Sequence, residues 1–150
     1  MLVLLVLIVS LLFFRGLGAL GVLYLATWMD STRVALAVMF VFTSAAHFNK
    51  MRHDLVRMMP RALSHPMGIV YFTGVCEILG AIGIVVPRTR SLAGRCLCVF
   101  LLAILPANSK AARESLAIGG GAATSLWLRV PMQLLFLVLI CWSTLPWRLR

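Results

Sequence analysis

Residues 67–86 read MGIVYFTGVCEILGAIGIVV, twenty residues with a single charged side chain, Glu77. An α-helix of that length rises about 30 Å, which is the thickness of the hydrocarbon core of a bilayer. The basic turn Pro87-Arg88-Thr89-Arg90 ends the stretch. The segment therefore predicts a transmembrane helix, and the rest of the chain has to be compatible with one.

The composition of the whole chain fits a membrane environment. Of the 150 residues, 62% are hydrophobic and 12% are charged, whereas soluble domains average about half and about a quarter. These charges are too few to cover a water-soluble globule, which excludes a soluble enzyme, a disordered chain and a disulfide-stapled secreted fold. The net charge of +10 comes from bases that flank apolar runs, which indicates contact with lipid headgroups and no nucleic acid binding.

Four further apolar stretches accompany residues 67–86, and all five are predicted to be helices because lipid cannot satisfy the backbone of an open strand. The expected fold is all-α: a transmembrane bundle with a four-helix core and one additional, retained N-terminal helix, in a single integral membrane domain over residues 1–150. Residues 50–65 mix basic and apolar side chains and predict an amphipathic segment at the interface. The spans are predicted at about residues 1–28, 31–49, 66–86, 91–112 and 127–147.

An odd number of spans puts the two termini on opposite faces of the membrane. We call side A the face that holds the N-terminus and the loops near residues 50–65 and 110–126, and side B the opposite face. Six basic residues fall on each side, so the positive-inside rule leaves the orientation open, although the bases of side B lie tight against the spans and favour a cytoplasmic side B. The bases are Lys50, Arg52, Arg57, Arg61, Lys110 and Arg113 on side A, and Arg33, Arg88, Arg90, Arg95, Arg148 and Arg150 on side B.

Two charged residues lie deep within predicted spans, where a charge costs several kcal/mol. Glu77 shares a helical face with Gly74, Gly80 and Ala81, and such small residues let other helices approach, so Glu77 is expected to face the bundle interior. Arg15 lies too deep in a span of residues 1–28 to reach the headgroups. Arg15 and Glu77 are therefore predicted to form an intramembrane ion pair. The pair is either purely architectural, or Glu77 also handles protons or a ligand.

Further polar side chains cluster by depth towards side A, in a layer above Glu77. They predict a polar-mouthed pocket that opens to side A and binds a ligand, with capping of helix ends and anchoring at the interface as the simpler alternative. Pro106 frees a backbone carbonyl one turn earlier, close to Asn108. The candidate ligand-binding residues are His47, Tyr71, Glu77, Asn108, Arg129 and Gln133.

No catalytic residue and no metal site is predicted. The three histidines lack a tight metal-ligand spacing, and the four cysteines lie inside apolar runs, where they are expected to act as small hydrophobes and not as a redox pair. Residues 16–21, GLGALG, match a dinucleotide-binding pattern, but they lie in an apolar span and indicate close helix packing. The sequence also lacks the paired histidines of haem proteins and the cysteine sets of iron–sulfur proteins.

A series of short motifs runs in order through residues 33–147. The motifs are Ala46-His47-Phe48, Met58-Met59-Pro60, VYFTGVCEI at 70–78, AIG at 81–83, PRTR at 87–90, LPAN at 105–108 and LWLRVPMQ at 126–133. This series resembles the DoxX-like family of integral membrane proteins. The resemblance implies a four-helix transmembrane core and marks the six candidate residues as family-pattern positions, without giving them catalytic roles. The chain departs from the pattern at Cys76 and in a short, Gly/Ala-rich loop at 113–125.

The DoxX-like family is named for a membrane subunit associated with quinone-linked sulfur oxidation. The resemblance implies an accessory subunit of a membrane redox system in a bacterial cytoplasmic membrane, with quinone or lipid in the pocket of side A, where apolar walls bury the ring and polar groups bond its carbonyls. Because the chain has no intrinsic cofactor, oxidoreductase activity would need a partner subunit or a bound quinone. The alternatives are a structural or assembly protein without ligand chemistry, and a proton or small-solute pathway along Glu77. The oligomeric state is left open.

Overall fold

A computed structural model describes residues 2–59, 64–113 and 126–145 of the chain. The described residues form helices and no strand, and five of the helices are long and apolar enough to cross a membrane. The predicted all-α fold with five apolar helices is therefore confirmed. The helices are α1 Leu2–Ala19, α2 Trp28–Phe48, α3 Arg52–Met58, α4 Pro66–Val85, α5 Arg90–Arg113 and α6 Leu126–Thr144, with a 3₁₀ turn Leu23–Leu25 between α1 and α2.

The first predicted span, residues 1–28, is divided in the structure. Helix α1 ends at Ala19, and Gly21 follows with φ +103°, a left-handed conformation that glycine adopts at little cost. The next helix begins at Trp28, because the Thr27 side chain accepts a hydrogen bond from the backbone N–H of Asp30 and caps the first turn. The other four spans begin and end within three residues of their predicted bounds.

Helix α2 lies at the centre of the bundle and packs against α1, α4 and α6. Its residues Ala35, Leu36, Met39 and Phe40 are buried, and the core continues into α4, α5 and α6. Helix α1 packs mainly on α2, and Leu7 is its one fully buried residue. The structure is thus a four-helix core of α2, α4, α5 and α6, with α1 against one side. The remaining core residues are Ala37, Ala81, Ile84, Leu97, Leu101, Phe136 and Ile140.

Small residues on α4 bring it close to its neighbours. A Cβ built on Gly80 would overlap the side chain of Leu97, and one built on Gly83 would lie 2.5 Å from the Cβ of Ala93. Glu77 lies on this small-residue face and is 6% exposed. The face that carries Glu77 therefore points into the bundle, as the sequence predicts.

The side B end of the core is held by Arg33, which the sequence assigns to the bases at that surface. Its guanidinium is buried, pairs with Asp30 and donates from Nε to the carbonyl of Ser143 at 2.6 Å. That carbonyl belongs to the last turn of α6, where a positive charge is favourable. Arg33 is therefore an internal connection between α2 and α6, and it is unavailable to lipid headgroups.

On side A, the predicted amphipathic segment contains α3, and residues 60–63 of it lie outside the described part of the chain. Met58 is buried at the end of α3. The Lys110 ammonium of α5 donates to the carbonyls of Met59 and Arg57, at 2.7 Å and 3.3 Å. These contacts place a cation at the C-terminal end of α3 and join it to the core.

Candidate functional site

Glu77 is the centre of the candidate site. It follows Pro66, the first residue of α4, by eleven residues, which corresponds to about 16 Å of helix. The Thr43 hydroxyl of α2 lies 3.0 Å from Oε2 of Glu77 and 3.0 Å from the carbonyl of Phe40. A hydroxyl has one proton to donate. Both contacts are therefore satisfied together when Glu77 is protonated, so that Glu77 donates to Thr43 and Thr43 donates to Phe40.

His47 lies one helical turn from Thr43, on the same face of α2. Its Nδ1 is 3.9 Å from Oε2 of Glu77, which is too long for a hydrogen bond. The Nδ1 atom is buried, and it has no hydrogen-bond partner among the described residues, although the backbones of Thr43 and Ser44 lie nearby. His47 and Glu77 thus present two polar atoms to each other at 3.9 Å, without a direct hydrogen bond between them.

Gly74 explains why α2 and α4 approach so closely at this point. A Cβ built on Gly74 would lie 2.6 Å from the Cβ of His47 and 3.0 Å from the ring of Phe48. Any side chain at this position would push the two helices apart. Gly74 therefore sets the distance between His47 and Glu77.

A second polar contact joins α5 to α6. Gln133 is buried, donates from Nε2 to the carbonyl of Leu101, and accepts at Oε1 from the Asn108 amide at 3.0 Å. Pro106 lies between these two contacts in α5 and removes the N–H that would bond the carbonyl of Leu102. Gln133 thus bridges the stretch of α5 that proline weakens.

The register of α2 against α6 gives the depth of these groups. Arg33 meets Ser143 at the side B end. Ten residues onward in α2 is Thr43, and ten residues back in α6 is Gln133, so Thr43, Glu77 and Gln133 lie at similar depth. His47 and Arg129 each lie four residues nearer side A. By this register His47 and Arg129 lie about one turn nearer side A than Glu77, whereas Gln133 lies level with Glu77 and not in a layer above it.

Tyr71 lies apart from both polar contacts. It is 38% exposed, and its ring centroid is 6.0 Å from that of Phe48. The structure thus brings His47 to Glu77 and Asn108 to Gln133, and it leaves Tyr71 on the outer surface near side A.

The predicted ion pair between Arg15 and Glu77 is wrong in this structure. The Arg15 guanidinium lies 5.2 Å from the ring centroid of Trp28, which begins α2 at side B. Glu77 instead contacts Thr43, which lies fifteen residues after Trp28 in α2, or about 22 Å along the helix from it. The prediction fails because α1 ends at Ala19 instead of continuing to Trp28, so Arg15 lies one turn from a helix end and not at mid-depth.

The sequence analysis missed Thr43, the one described side chain that hydrogen-bonds Glu77. Its signal was its position four residues before His47, which puts the two on one helical face. Among the described residues, no group of three or more His, Cys, Asp or Glu side chains is placed to hold a metal ion. His47 and Glu77 are two ligands, fewer than the three or four protein ligands of a zinc site.

The four-helix core is also the part of the chain that a known family covers. The chain belongs to the family described as a domain of unknown function, DUF8561. The match spans residues 36–145, from the third turn of α2 to the end of α6, and includes all six candidate residues, whereas α1 lies outside it. No curated protein and no solved structure matches the chain.

Proposed function

We propose that this protein binds a quinone between α2 and α4, through His47 and Glu77, and serves as an accessory subunit of a membrane redox system. The observation that carries the proposal is the buried Nδ1 of His47, 3.9 Å from the Glu77 carboxyl and without a hydrogen-bond partner among the described residues. A buried polar atom left without a partner costs about 1–3 kcal/mol. A ligand oxygen that bonds both groups removes that cost.

A quinone carbonyl has the chemistry to bridge these two polar atoms. An oxygen placed to one side of the line from Nδ1 to Oε2 can lie about 2.8 Å from both atoms, which is normal hydrogen-bond length. On binding, the imidazole N–H would donate to that oxygen, and the Glu77 proton would turn from Thr43 to the ligand, with Thr43 then donating to Glu77. Reduction to the quinol takes up protons, and histidine and glutamate are side chains that commonly hand protons to a substrate.

The surroundings suit the apolar part of such a ligand. Phe48 and Tyr71 are more than one-third exposed near the side A end of α2 and α4, with their ring centroids 6.0 Å apart, and the Phe48 ring lies beside Gly74, which brings the helices together. A quinone headgroup that enters there would keep its tail among the lipid chains. Binding sites of this type have apolar walls and a few convergent polar groups.

The resemblance to the DoxX-like family supports the redox role, because that family is named for a subunit associated with quinone-linked oxidation. It also supports a bacterial cytoplasmic membrane as the location. A protein that holds a quinone passes electrons only if a second carrier approaches it. The sequence lacks the histidine and cysteine sets of haem and iron–sulfur proteins, so we assign the second carrier to a partner subunit.

The test is to purify the protein in a mild detergent, extract bound molecules and quantify quinone by its absorbance change on reduction. We expect about one quinone per chain from the native protein and at least a tenfold loss from Glu77→Gln and His47→Ala. Thr73→Val and Cys76→Ser are matched controls, since both residues are half-buried on α4 and the described hydrogen bond of Glu77 is with Thr43 and not with either of them. Both controls should retain the quinone.

The other outcomes separate the alternatives. If the native protein carries phospholipid and no quinone, and the same substitutions remove it, the ligand of this site is a lipid and not a quinone. A stable protein without any bound molecule would overturn the proposal and favour a structural or assembly role. Proton flux in liposomes that Glu77→Gln abolishes would assign a conducting role instead. Circular dichroism on every variant shows whether the bundle remains folded.

A further inference from the structure

Two cysteines from different helices lie next to each other in the half of the bundle near side B. The sulfur atoms of Cys98 in α5 and Cys141 in α6 are 3.4 Å apart, and both residues are half-buried and not joined by a disulfide. Cys141 lies one turn before the end of α6, and Cys98 lies two turns after the start of α5. The other two cysteines, Cys76 and Cys96, are on α4 and on the exposed face of α5.

Close contacts on both sides hold the backbones around these thiols together. One turn nearer side B, a Cβ built on Gly94 would lie 2.7 Å from the Cβ of Thr144. Nearer side A, Gln133 of α6 bonds the carbonyl of Leu101 in α5. The thiols therefore face each other across a tightly packed stretch of the α5–α6 interface. A sulfur–sulfur bond of about 2.0 Å needs an approach of about 1.4 Å from the present separation.

We infer that Cys98 and Cys141 form a reversible dithiol–disulfide site. A disulfide that approaches from side B supplies the oxidising equivalents by thiol–disulfide exchange. The thiolate of one cysteine attacks the incoming disulfide, which forms a mixed disulfide and releases one thiol. The other cysteine then attacks the mixed disulfide, so that the Cys98–Cys141 bond forms and the second thiol leaves. Two protein thiols are oxidised, one disulfide is reduced to two thiols, and the two protons end on the released thiols.

This site is independent of the proposed quinone site. Glu77 contacts α2, whereas Cys98 and Cys141 tie α5 to α6, the two helices that carry Asn108 and Gln133. Oxidation would add a covalent link to the same helix pair that Gln133 joins by hydrogen bonds. We therefore expect the oxidised protein to unfold at a higher temperature than the reduced protein.

The test uses the full chain in detergent micelles with Cys76→Ser and Cys96→Ser, so that only the facing pair remains. The probe is 4,4′-dithiodipyridine, an apolar disulfide that releases a coloured thiopyridone at each exchange. We expect one probe molecule to be consumed per chain, two thiopyridones to be released, and the intact mass to fall by about 2 Da, because two hydrogen atoms are lost and no adduct remains. A reductant should restore the original mass.

Single-cysteine variants give the control. In the same background, Cys98→Ser leaves one thiol, which should stop at a mixed disulfide with one pyridyl adduct and one released thiopyridone. If the facing pair also ends with pyridyl adducts on both sulfurs, or with disulfide-linked dimers on a non-reducing gel, the inference is overturned. If neither thiol reacts in the folded protein but both react after unfolding, it is overturned as well.

Discussion

At the scale of single residues, the hydroxyl of Thr43 decides how the carboxyl of Glu77 is satisfied. The one described hydrogen bond of that carboxyl is with the Thr43 hydroxyl, and His47 is too far away to form another. An apolar residue at position 43 would leave a buried carboxyl without this partner. Replacing Thr43, an uncharged residue, should therefore lower the free energy of unfolding.

Thr43→Val should destabilise the bundle by about 1 kcal/mol, the usual net contribution of one buried hydrogen bond. Thr73→Val is the matched control, because Thr73 bonds only a carbonyl of its own helix, that of Val70, as Thr43 also does with Phe40. The difference between the two variants thus isolates the bond to Glu77. Unfolding in mixed micelles with increasing SDS measures it, and equal losses for both variants would contradict the assignment.

Gly74→Ala should destabilise the bundle by about 1–3 kcal/mol, because the added methyl group overlaps His47 and forces α2 and α4 apart. It should also weaken any ligand held between His47 and Glu77. Gly68 lies on the same helix, and a Cβ there meets no atom within 4 Å. Gly68→Ala should therefore leave the free energy of unfolding within about 1 kcal/mol of the native value. Comparable losses from both alanines would show that helix contact does not depend on Gly74.

At the scale of helices, two ion pairs of the same sequence spacing should differ in strength. Arg33–Asp30 begins α2 and lies largely buried against α6, whereas Arg57–Asp54 in α3 has an arginine side chain that is 70% exposed. Exposed pairs contribute about 0–1 kcal/mol, while breaking a fully buried pair costs about 3–5 kcal/mol. The side chain of Asp30 is 25% exposed, so the loss should fall below the upper range.

Arg33→Leu should therefore cost about 2 kcal/mol, and Arg57→Leu less than about 1 kcal/mol. Arg33→Leu should also free the carbonyl of Ser143, and amide hydrogen exchange should accelerate in the last turn of α6 but not in α3. Similar stability losses for both arginines would mean that the connection between α2 and α6 adds nothing beyond a surface ion pair.

At the scale of the whole molecule, five spans put the loop after α2 and the loop after α4 on opposite faces. A protein without native cysteines, with Lys50→Cys or Arg88→Cys, tests this arrangement. A membrane-impermeant maleimide should label one variant from outside intact vesicles and the other only after the vesicles are opened. Labelling of both from the same face would contradict five membrane crossings.

The sequence predicts the spans and the buried face around Glu77 well, but it does not predict the turn after α1 or the contacts between distant helices. Hydropathy reports how long an apolar stretch is, so it locates four of the five spans to within three residues. The small residues around Glu77 predict that this face of α4 is buried. Hydropathy is insensitive to a turn made of apolar residues. The sequence therefore predicts one span over residues 1–28, although α1 ends at Ala19, and it places Arg15 too deep in the membrane. Contacts such as Cys98–Cys141 depend on the register between two distant helices, and no local pattern reports that register.

The bond from Arg33 to Ser143 has a consequence for the order of assembly. The two residues are 110 positions apart, so the ribosome completes α2 long before it synthesises the partner in α6. Throughout that interval the guanidinium has only Asp30 to balance its charge. In a nascent chain arrested before the last helix, the part of this cation that later bonds Ser143 would therefore be left to water and lipid headgroups. The packing of α6 against α2 removes that exposure in one step.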